Sequence, residues 1–514
     1  MKDSLKQNSL DSPHWILALF VIAGGAFQTV GINADLWIDE AYSAIVSQQS
    51  IGGILDALRN DNGPPLYYIL LKVWTGLFGI SPAGVRSLSV FFYLFTIPVM
   101  YFLGKEVAGK NTGLLAAGLF TVSSIAINLG QQARMYPLLA LWAATALWLF
   151  YRQFFKKTAG TWERYLLPLV LWGGLLIHYW SVFYITALWL LLLAGRRRNE
   201  IVSFTLQAGA AGVLFAVSWL NIFLVQLGNG STMWIPPVGV FRGLWETLAN
   251  FFEVTSEKQG LAVYALIFSA VTFGFYRQRE KFGEILIDLK KREYLLPLFL
   301  SLLTLLIPLL ISQLKPIYRT NRYPIVVLPA FLLFLGILLN RARLNRIAGL
   351  LVLTIGISSM TFLTIERKMP ENYLQSNLFR EISQRIEERD ALLACGLSYA
   401  TIKYYFGYYY GLRNEIRAFP AEISRHPGWR NIPDFKRRMT ELRAEADETV
   451  RNLLRKAPQG KVWLFTKFRQ DEEISSLLEN RLLENYVVQN KLSVKGSFYS
   501  EIWELVARNK DQNL

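Results

Sequence analysis

The chain has 514 residues, of which 53% are hydrophobic and 14% aromatic, and its formal net charge is +16. Apolar runs of about 15–25 residues recur along it, which excludes an ordinary soluble protein and indicates a polytopic membrane protein. A single cysteine excludes an intrachain disulfide and a cysteine-rich zinc or iron–sulfur site, and three histidines argue against a His-based metal cage.

The predicted spans begin with Trp15–Val30, after a polar N-terminal segment with no cleavable signal peptide. Ten further spans follow, at Val85–Leu103, Leu114–Leu129, Pro137–Tyr151, Tyr165–Ile177, Ser181–Ala194, Ile201–Gln226, Leu261–Tyr276, Tyr294–Ser312, Pro324–Leu339 and Ile347–Ile365. Clusters of Lys and Arg separate alternate pairs of spans, which explains the positive charge without a nucleic-acid partner. All these basic clusters lie on the cytoplasmic side only if Leu66–Phe78 is a helix within the first outer loop and does not cross the membrane. We therefore predict about eleven spans, with a cytoplasmic N-terminus and an extracytoplasmic C-terminus.

The composition changes after Glu366 to charged and amphipathic. Short strands are predicted at Ala391–Cys395, Lys461–Phe465, Tyr486–Leu492 and Ile502–Ala507, with helices at Phe435–Lys456 and Ile474–Glu484. We therefore divide the chain into a transmembrane domain, residues 1–366, and a small extracytoplasmic α/β domain, residues 367–514. The second domain has no glycine-rich phosphate loop, and we expect it to serve docking or acceptor recognition.

The first predicted outer loop, residues 33–84, carries an adjacent acidic pair, Asp39 and Glu40. Trp37, Ile38 and Tyr42 surround the pair with side chains that favour the membrane interface. Ionisable groups kept near lipid are unfavourable, so their presence indicates a function.

Some basic residues lie in predicted outer loops and so depart from the rule that Lys and Arg favour cytoplasmic loops. Arg319 and Arg322 lie in the last of these loops, and they indicate an anionic partner at the outer surface or, equally well, a lipid head-group anchor. The same predicted face carries Arg134 and His178, in two other short loops.

Four motifs together resemble the GT-C class of polytopic glycosyltransferases, in the branch of protein O-mannosyltransferases and the lipid A aminoarabinose transferase. They are WIDEAYS at 37–43, PPLYYILLKVWTGLFGISPAGVRSLS at 64–89, QQARMYPLLA at 131–140 and RYPIVVLPAF at 322–331. The resemblance covers roughly Trp15 to Ile365 and implies a GT-C fold and a polyprenyl-phosphate sugar as the donor.

The resemblance also implies roles for individual residues. Asp39 matches the catalytic acidic residue of the family, and its carboxylate would act as the base that activates the acceptor. Glu40 would orient Asp39 or the acceptor, or would face solvent. Residues predicted to bind the donor phosphate or line the substrate pocket are Arg86, Arg134, Tyr136, His178, Arg319, Arg322, Tyr67 and Tyr68. For Arg86 a capping role in its span, for His178 a structural role, and for the two tyrosines an interfacial anchor are the alternatives.

One departure from the family pattern concerns the residues before the double proline. A lysine stands there in the aminoarabinose branch, whereas this chain has Asn62 and Gly63. Direct phosphate contact by this loop, and that particular sugar, are therefore not supported. No ligand cluster indicates a metal site, and the sequence leaves open whether a divalent cation assists.

The sequence thus predicts an enzyme of the inner or plasma membrane that transfers one hexose or pentose from a polyprenyl-phosphate donor, with inversion, to a glycan, lipid or protein acceptor on the extracytoplasmic face. A transporter or flippase for lipid-linked anions is one alternative, although it would place charged residues in mid-span. A non-catalytic membrane scaffold is the other. The sugar, the acceptor and the oligomeric state do not follow from the sequence.

Overall fold

The computed structural model describes residues 13–228, 235–253, 257–277, 292–367, 374–424, 438–456, 460–468, 472–493 and 499–508. Its first part is helical. The helices are α1 (Pro13–Thr29), α2 (Ile38–Ser47), α3 (Ile51–Arg59), α4 (Leu66–Phe78), α5 (Pro82–Ala108), α6 (Lys110–Val122), α7 (Ser124–Gly130), α8 (Tyr136–Phe154), α9 (Thr161–Ile177), α10 (Ser181–Ala194), α11 (Arg198–Gly228), α12 (Val240–Phe252), α13 (Glu257–Arg277), α14 (Arg292–Ile311), α15 (Leu328–Arg341) and α16 (Asn345–Arg367).

Every predicted span coincides with a helix, in one case with a broken pair. Within the described ranges, four helices are long and apolar enough to cross a membrane: Pro82–Ala108, Arg198–Gly228, Tyr294–Ile311 and Arg346–Glu366. A fifth crossing is formed if α6 and α7 count as one span bent by 58°. The chain is therefore an α-helical polytopic membrane protein, as predicted, while the count of about eleven spans stays a prediction.

The segment between α1 and α5 contains three short helices, α2, α3 and α4. Helix α4 coincides with the segment predicted to lie within the first outer loop. Its 13 residues measure about 20 Å, which is shorter than the hydrocarbon core of a bilayer. Pro64 and Pro65 precede it, and Gly79, at φ 76°, ends it in a conformation that favours glycine.

Helix α5 connects two charged regions. Arg86 at its start is paired with Glu40, and Glu106 near its end is paired with Arg152 and Lys156. Arg86 and Glu106 are 20 residues apart on one helix, or about 30 Å, which is the thickness of a bilayer core. The acidic pair and the predicted cytoplasmic basic loops therefore lie at opposite ends of α5.

The C-terminal part contains a five-stranded mixed sheet. Its elements are α17 (Leu374–Arg385), β1 (Ala391–Cys395), α18 (Ser398–Ile402), a π-helical segment (Lys403–Tyr409), β2 (Ile416–Phe419), α19 (Met439–Lys456), β3 (Val462–Phe468), α20 (Glu472–Asn485), β4 (Tyr486–Ser493) and β5 (Tyr499–Ala507). The strand order is β2-β1-β3-β5-β4, with β1 parallel to β2 and β3, and β5 antiparallel to β3 and β4.

Four of the five strands coincide with predicted strands, whereas the edge strand β2 was not predicted. Leu392 lies opposite Ile416 on one side and Trp463 on the other, and all three are buried. The predicted small α/β unit is therefore present. The start of the predicted helix Phe435–Lys456, residues 435–437, lies outside the described residues.

Candidate functional site

The acidic pair lies in the first turn of α2, where the helix dipole favours negative charge. Glu40 accepts a hydrogen bond from the backbone N–H of Trp37, the residue before the helix, at 3.3 Å and so closes the first turn. Successive residues of an α-helix point about 100° apart. Asp39 and Glu40 therefore face different surroundings, and Asp39 is 33% exposed whereas Glu40 is fully buried.

Glu40 forms a bidentate ion pair with Arg86. Arg86 Nε donates to Oε1 at 2.8 Å and Nη2 donates to Oε2 at 2.6 Å, and the backbone N–H of Ala133 donates to Oε1 at 2.8 Å. The other donors of Arg86 bond the carbonyl oxygens of Ile32, Ala34 and Asp35 at 2.6–3.0 Å.

This pair corrects two predictions. All the N–H groups of Arg86 are used within the protein, which argues against its predicted role as a ligand of the donor phosphate. Glu40 does not face solvent, because it is enclosed by the pair. We therefore assign both residues to holding the segment before α2, the start of α5 and the loop at Ala133 together.

Asp39, in contrast, is accessible and is held by a side chain from a distant loop. Arg322 Nη1 lies 3.2 Å from Asp39 Oδ2, and the Arg322 guanidinium stacks on the Trp37 ring at 4.7 Å from the centroid. Arg322 is 17% exposed, so the pair sits at the edge of the site with one side open. The sequence-predicted base and a sequence-predicted cation are thus in direct contact.

Arg134 enters the same site from the loop between α7 and α8. Its Nη1 lies 3.4 Å from the Asp39 carbonyl oxygen, 3.4 Å from Ser43 Oγ and 3.5 Å from Tyr68 Oη, which are long hydrogen bonds. Its Nε is buried and has no hydrogen-bond partner among the described residues. A buried cation with an unused donor is unfavourable unless a ligand completes it. Arg134 is therefore suited to an anion.

The two predicted tyrosines have different positions. Tyr67 is fully buried, and its hydroxyl bonds Ser89 Oγ at 3.0 Å, which in turn donates to the Arg134 carbonyl oxygen at 3.0 Å. It supports the Arg134 loop from behind, so neither the pocket-lining nor the interfacial interpretation fits it. Tyr68 contacts the Arg134 guanidinium and also donates to Asp61 Oδ2 at 3.4 Å.

An aromatic cluster forms one wall. The His178 ring lies 4.8 Å from the Tyr323 ring and 6.2 Å from the Tyr136 ring, and its Nδ1 accepts the backbone N–H of Trp180 at 3.1 Å. Burial, with the nearby charge of Arg134, lowers the pKa of His178 to about 3, so the imidazole is neutral. This geometry supports the structural interpretation of His178.

Arg319 lies on the same loop as Arg322. Its Nε donates to Asn321 Oδ1 at 3.2 Å. Burial and the positive charge of Arg322 lower the pKa of Arg319.

A polar cavity of about 300 Å³ opens beside Asn321. Its other lining residues come from α7, α12, the residue after α12 and α16, and they include Asn128, Glu253, Ser359 and Glu366. It is a separate space from the Asp39–Arg322 contact, and its carboxylates make it unsuited to an anion.

The structure therefore brings together Asp39, Arg134, Tyr68 and Arg322, and it places Tyr136 in the adjoining wall. Arg319 lies on the loop of Arg322, where it bonds Asn321. Sequence reasoning missed Tyr323, Ser43 and Asp61 as neighbours of the site. Tyr323 carried a signal, since it lies in the RYPIVVLPAF motif. No group of three or more His, Cys, Asp or Glu side chains suited to a metal ion occurs in the described part of the chain.

Comparisons with known proteins agree with this architecture. A family model described as dolichyl-phosphate-mannose-protein mannosyltransferase matches residues 62–222. An uncharacterised protein of Aquifex aeolicus is 24% identical over 150 residues, which cover 28% of this chain and 30% of that protein. This chain thus aligns with less than a third of that relative.

Solved structures match over a much greater length. Apo ArnT from Cupriavidus metallidurans is similar at a TM-score of 0.65 and 11% identity, over 96% of this chain and 98% of that one. ArnT bound to undecaprenyl phosphate is similar at a TM-score of 0.61 and 12% identity, with the same coverage. The chain therefore has the fold of the GT-C type of polytopic glycosyltransferase, as its motifs predicted.

Proposed function

We propose that this chain, which has a GT-C fold, is a glycosyltransferase that takes one sugar from a polyprenyl-phosphate donor and uses Asp39 as its base. The observation that carries the proposal is that two arginines from separate loops meet at Asp39: Arg322 pairs with its accessible carboxylate, and Arg134 lies 3.4 Å from its backbone carbonyl oxygen. The base and the phosphate ligands that such a transfer needs are the groups that the site supplies. The ArnT structure with undecaprenyl phosphate supports the donor class.

In the proposed reaction a hydroxyl or amine of the acceptor attacks the anomeric carbon of the sugar. The bond from that carbon to the phosphate oxygen breaks, its electron pair stays on the oxygen, and polyprenyl phosphate leaves. The acceptor's proton passes to the Asp39 carboxylate. Attack opposite the leaving group inverts the anomeric centre. A phosphate is already a good leaving group, so a separate general acid is unnecessary.

The arginines have a second task in this proposal. Arg134 has a buried Nε–H without a partner among the described residues, and Arg322 lies at the open edge of the site. A phosphate placed between them would accept a hydrogen bond from Arg134 Nε and form an ion pair with Arg322. A phosphate that draws Arg322 away would release Asp39 from its ion pair. Donor binding would then prepare the base, which suits an ordered reaction in which the donor binds first.

A transfer assay tests the proposal. The purified protein is reconstituted in liposomes with radiolabelled polyprenyl-phosphate mannose, and then with the corresponding hexoses and pentoses, over an acceptor pool of membrane lipids and membrane proteins. We expect label to move to an acceptor with the wild type. Asp39→Asn, which keeps the side-chain size, should lower the rate about 10²- to 10⁴-fold, the usual range for loss of a general base.

Two results would contradict the proposal. Transfer by Asp39→Asn at the wild-type rate would remove Asp39 as the base. Movement of intact donor across the liposome membrane, without transfer, would instead favour a transporter of lipid-linked anions. Arg389→Met serves as a control, because Arg389 and its partner Glu387 are both exposed and the substitution removes a charge in the C-terminal unit, outside the Asp39 contacts.

A further inference from the structure

The segment that leads into α2 is held by the C-terminal α/β unit. Asp35, four residues before Asp39, accepts the backbone N–H of Gln375 at 2.8 Å on Oδ2 and that of Ser376 at 3.0 Å on Oδ1. Both donors belong to the first turn of α17, where N–H groups have no partner within the helix. A carboxylate at this position caps α17 across the junction.

A tyrosine of the C-terminal unit completes this contact. The backbone N–H of Leu36 donates to the hydroxyl of Tyr405 at 3.0 Å, and that hydroxyl lies 3.5 Å from Asp35 Oδ1. Tyr405 and Leu36 are both buried. The hydroxyl therefore satisfies a backbone donor in the interior, where an unpaired N–H is unfavourable.

The opposite end of the first loop is held by the neighbouring residue. The Tyr404 hydroxyl donates to the Ile80 carbonyl oxygen at 2.7 Å, just before α5 begins. Two successive tyrosines of the π-helical segment thus contact both ends of the segment that contains α2, α3 and α4.

The tyrosines are rigidly supported from behind. The Phe379 ring lies 5.2 Å from Tyr405, 4.9 Å from Phe406 and 6.0 Å from Phe465, a residue of β3. Phe379, Phe406 and Phe465 are fully buried, so the contact is continuous with the core of the sheet. The position of Asp35 is therefore tied to the C-terminal sheet.

Asp35 also connects to the buried pair beside the site. Its carbonyl oxygen accepts Arg86 Nη2 at 3.0 Å, and the same nitrogen donates to Glu40 Oε2 at 2.6 Å. Displacing Asp35 would therefore disturb the Glu40–Arg86 pair as well as the backbone that leads to Asp39. The chain of contacts runs from the sheet, through Tyr405 and Asp35, to the first turn of α2.

From these contacts we infer that the C-terminal unit is a positioning element for the transfer reaction, in which Asp35 and Tyr405 hold the segment that sets the place of Asp39. This inference rests on the proposed function. It assigns the junction to orienting the base and not to the docking or acceptor recognition that the sequence suggested for this unit. Asp35 and Tyr405 are positioning residues, since neither touches the site itself.

The variants Tyr405→Phe and Asp35→Asn test the inference in the reconstituted full chain. Each removes one bond or one charge at the junction and leaves the shape of the side chain. Tyr408→Phe is the matched control, because Tyr408 is on the same π-helical segment and is partly exposed. Thermal unfolding and the affinity for undecaprenyl phosphate are measured first, and then kcat and KM for the labelled donor.

We expect kcat to fall about three- to tenfold in each variant, the range for one hydrogen bond that holds a reacting group. The affinity for undecaprenyl phosphate and the donor KM should stay within about twofold, because the arginines that bind phosphate are unchanged. Tyr408→Phe should match the wild type. A variant that only weakened folding would lower the amount of active protein and the unfolding temperature together.

Unchanged kcat in both variants would overturn the inference while leaving the proposed function intact, since the wild type would still transfer sugar. A loss that appeared only as a higher KM for the acceptor would also overturn it and would assign the junction to acceptor recognition. If Tyr405→Phe does not fold, Asp35→Asn decides by the same criteria. Absence of transfer by the wild type would instead contradict the proposed function.

Discussion

The buried pair of Glu40 and Arg86 allows a quantitative prediction. Arg86→Met replaces the guanidinium with an apolar side chain of similar length. Glu40 would keep the N–H groups of Trp37 and Ala133 but would lose its only cation partner among the residues that the structure describes. Breaking a buried ion pair by removing one partner typically destabilises a protein by about 3–5 kcal/mol. The carbonyl oxygens of residues 32, 34 and 35 would lose their donors as well. We therefore expect a loss at or above that range.

Thermal unfolding in detergent, followed by tryptophan fluorescence, measures the effect. Arg322→Met is the control, because its pair with Asp39 is partly exposed, and such pairs contribute at most about 1 kcal/mol. The double variant Glu40→Leu, Arg86→Met should recover part of the loss, since the unpaired carboxylate is gone. Arg86→Met that unfolds at the temperature of the wild type would refute the assignment of this pair to structure. It would return Arg86 to the phosphate ligands.

Three further predictions concern single residues. Gly174→Ala should destabilise the protein by about 1–3 kcal/mol, because an added Cβ would overlap the Trp142 indole. Gly173→Ala is the control, since a Cβ there meets open space and should not destabilise the protein. Thermal unfolding of the two variants distinguishes them. The folded state holds the His178 pKa at about 3, below its ordinary value of 6.5, so it binds fewer protons than the unfolded state and its stability falls as the pH drops from 6.5 towards 3. His178→Gln should make the unfolding temperature less sensitive to pH in that window, and an unchanged profile would contradict the burial argument. Arg134→Lys should weaken binding of undecaprenyl phosphate about ten- to a hundredfold, because it loses charge-assisted donors in fixed geometry, and equilibrium binding to the two proteins measures this.

Most helices were predictable because their signals are local. The segment Leu66–Phe78 was predicted to its end residues, since prolines precede it and a glycine follows it. The break between α6 and α7 inside the predicted span Leu114–Leu129 was not predicted, because no proline or glycine marks it. Ser123 stands at the break, and its hydroxyl bonds the Phe251 carbonyl oxygen at 2.7 Å, a contact 128 residues away in the chain. Such a contact leaves no pattern in the local sequence.

The candidate site shows the same division. The motifs identified Asp39 and Arg134, the predicted topology added Arg322, and the structure places both arginines in contact with Asp39. For Arg86 the sequence left a phosphate-binding role and a capping role equally open, because it lies at a predicted span end. Only the three-dimensional contacts show that the N–H groups of Arg86 all donate to Glu40 and to backbone carbonyl oxygens. Arg134, in contrast, has an Nε–H with no partner among the described residues.

Asp35 was also beyond sequence reasoning. It stands four residues before Asp39 as an ordinary acid in a loop, and its partners are 340 and 341 residues away in the chain. The aromatic run at residues 403–410 was not assigned a role for the same reason. The junction between the two parts of the chain depends on pairings of long sequence separation, which a single sequence does not reveal.

A structure of the protein with undecaprenyl phosphate tests the central claim most directly. We expect the phosphate between Arg134 and Arg322, with guanidinium-to-oxygen distances of about 2.7–2.9 Å, and Asp39 released from Arg322 and open to an acceptor. A phosphate bound elsewhere, with the Asp39–Arg322 pair intact, would contradict the account.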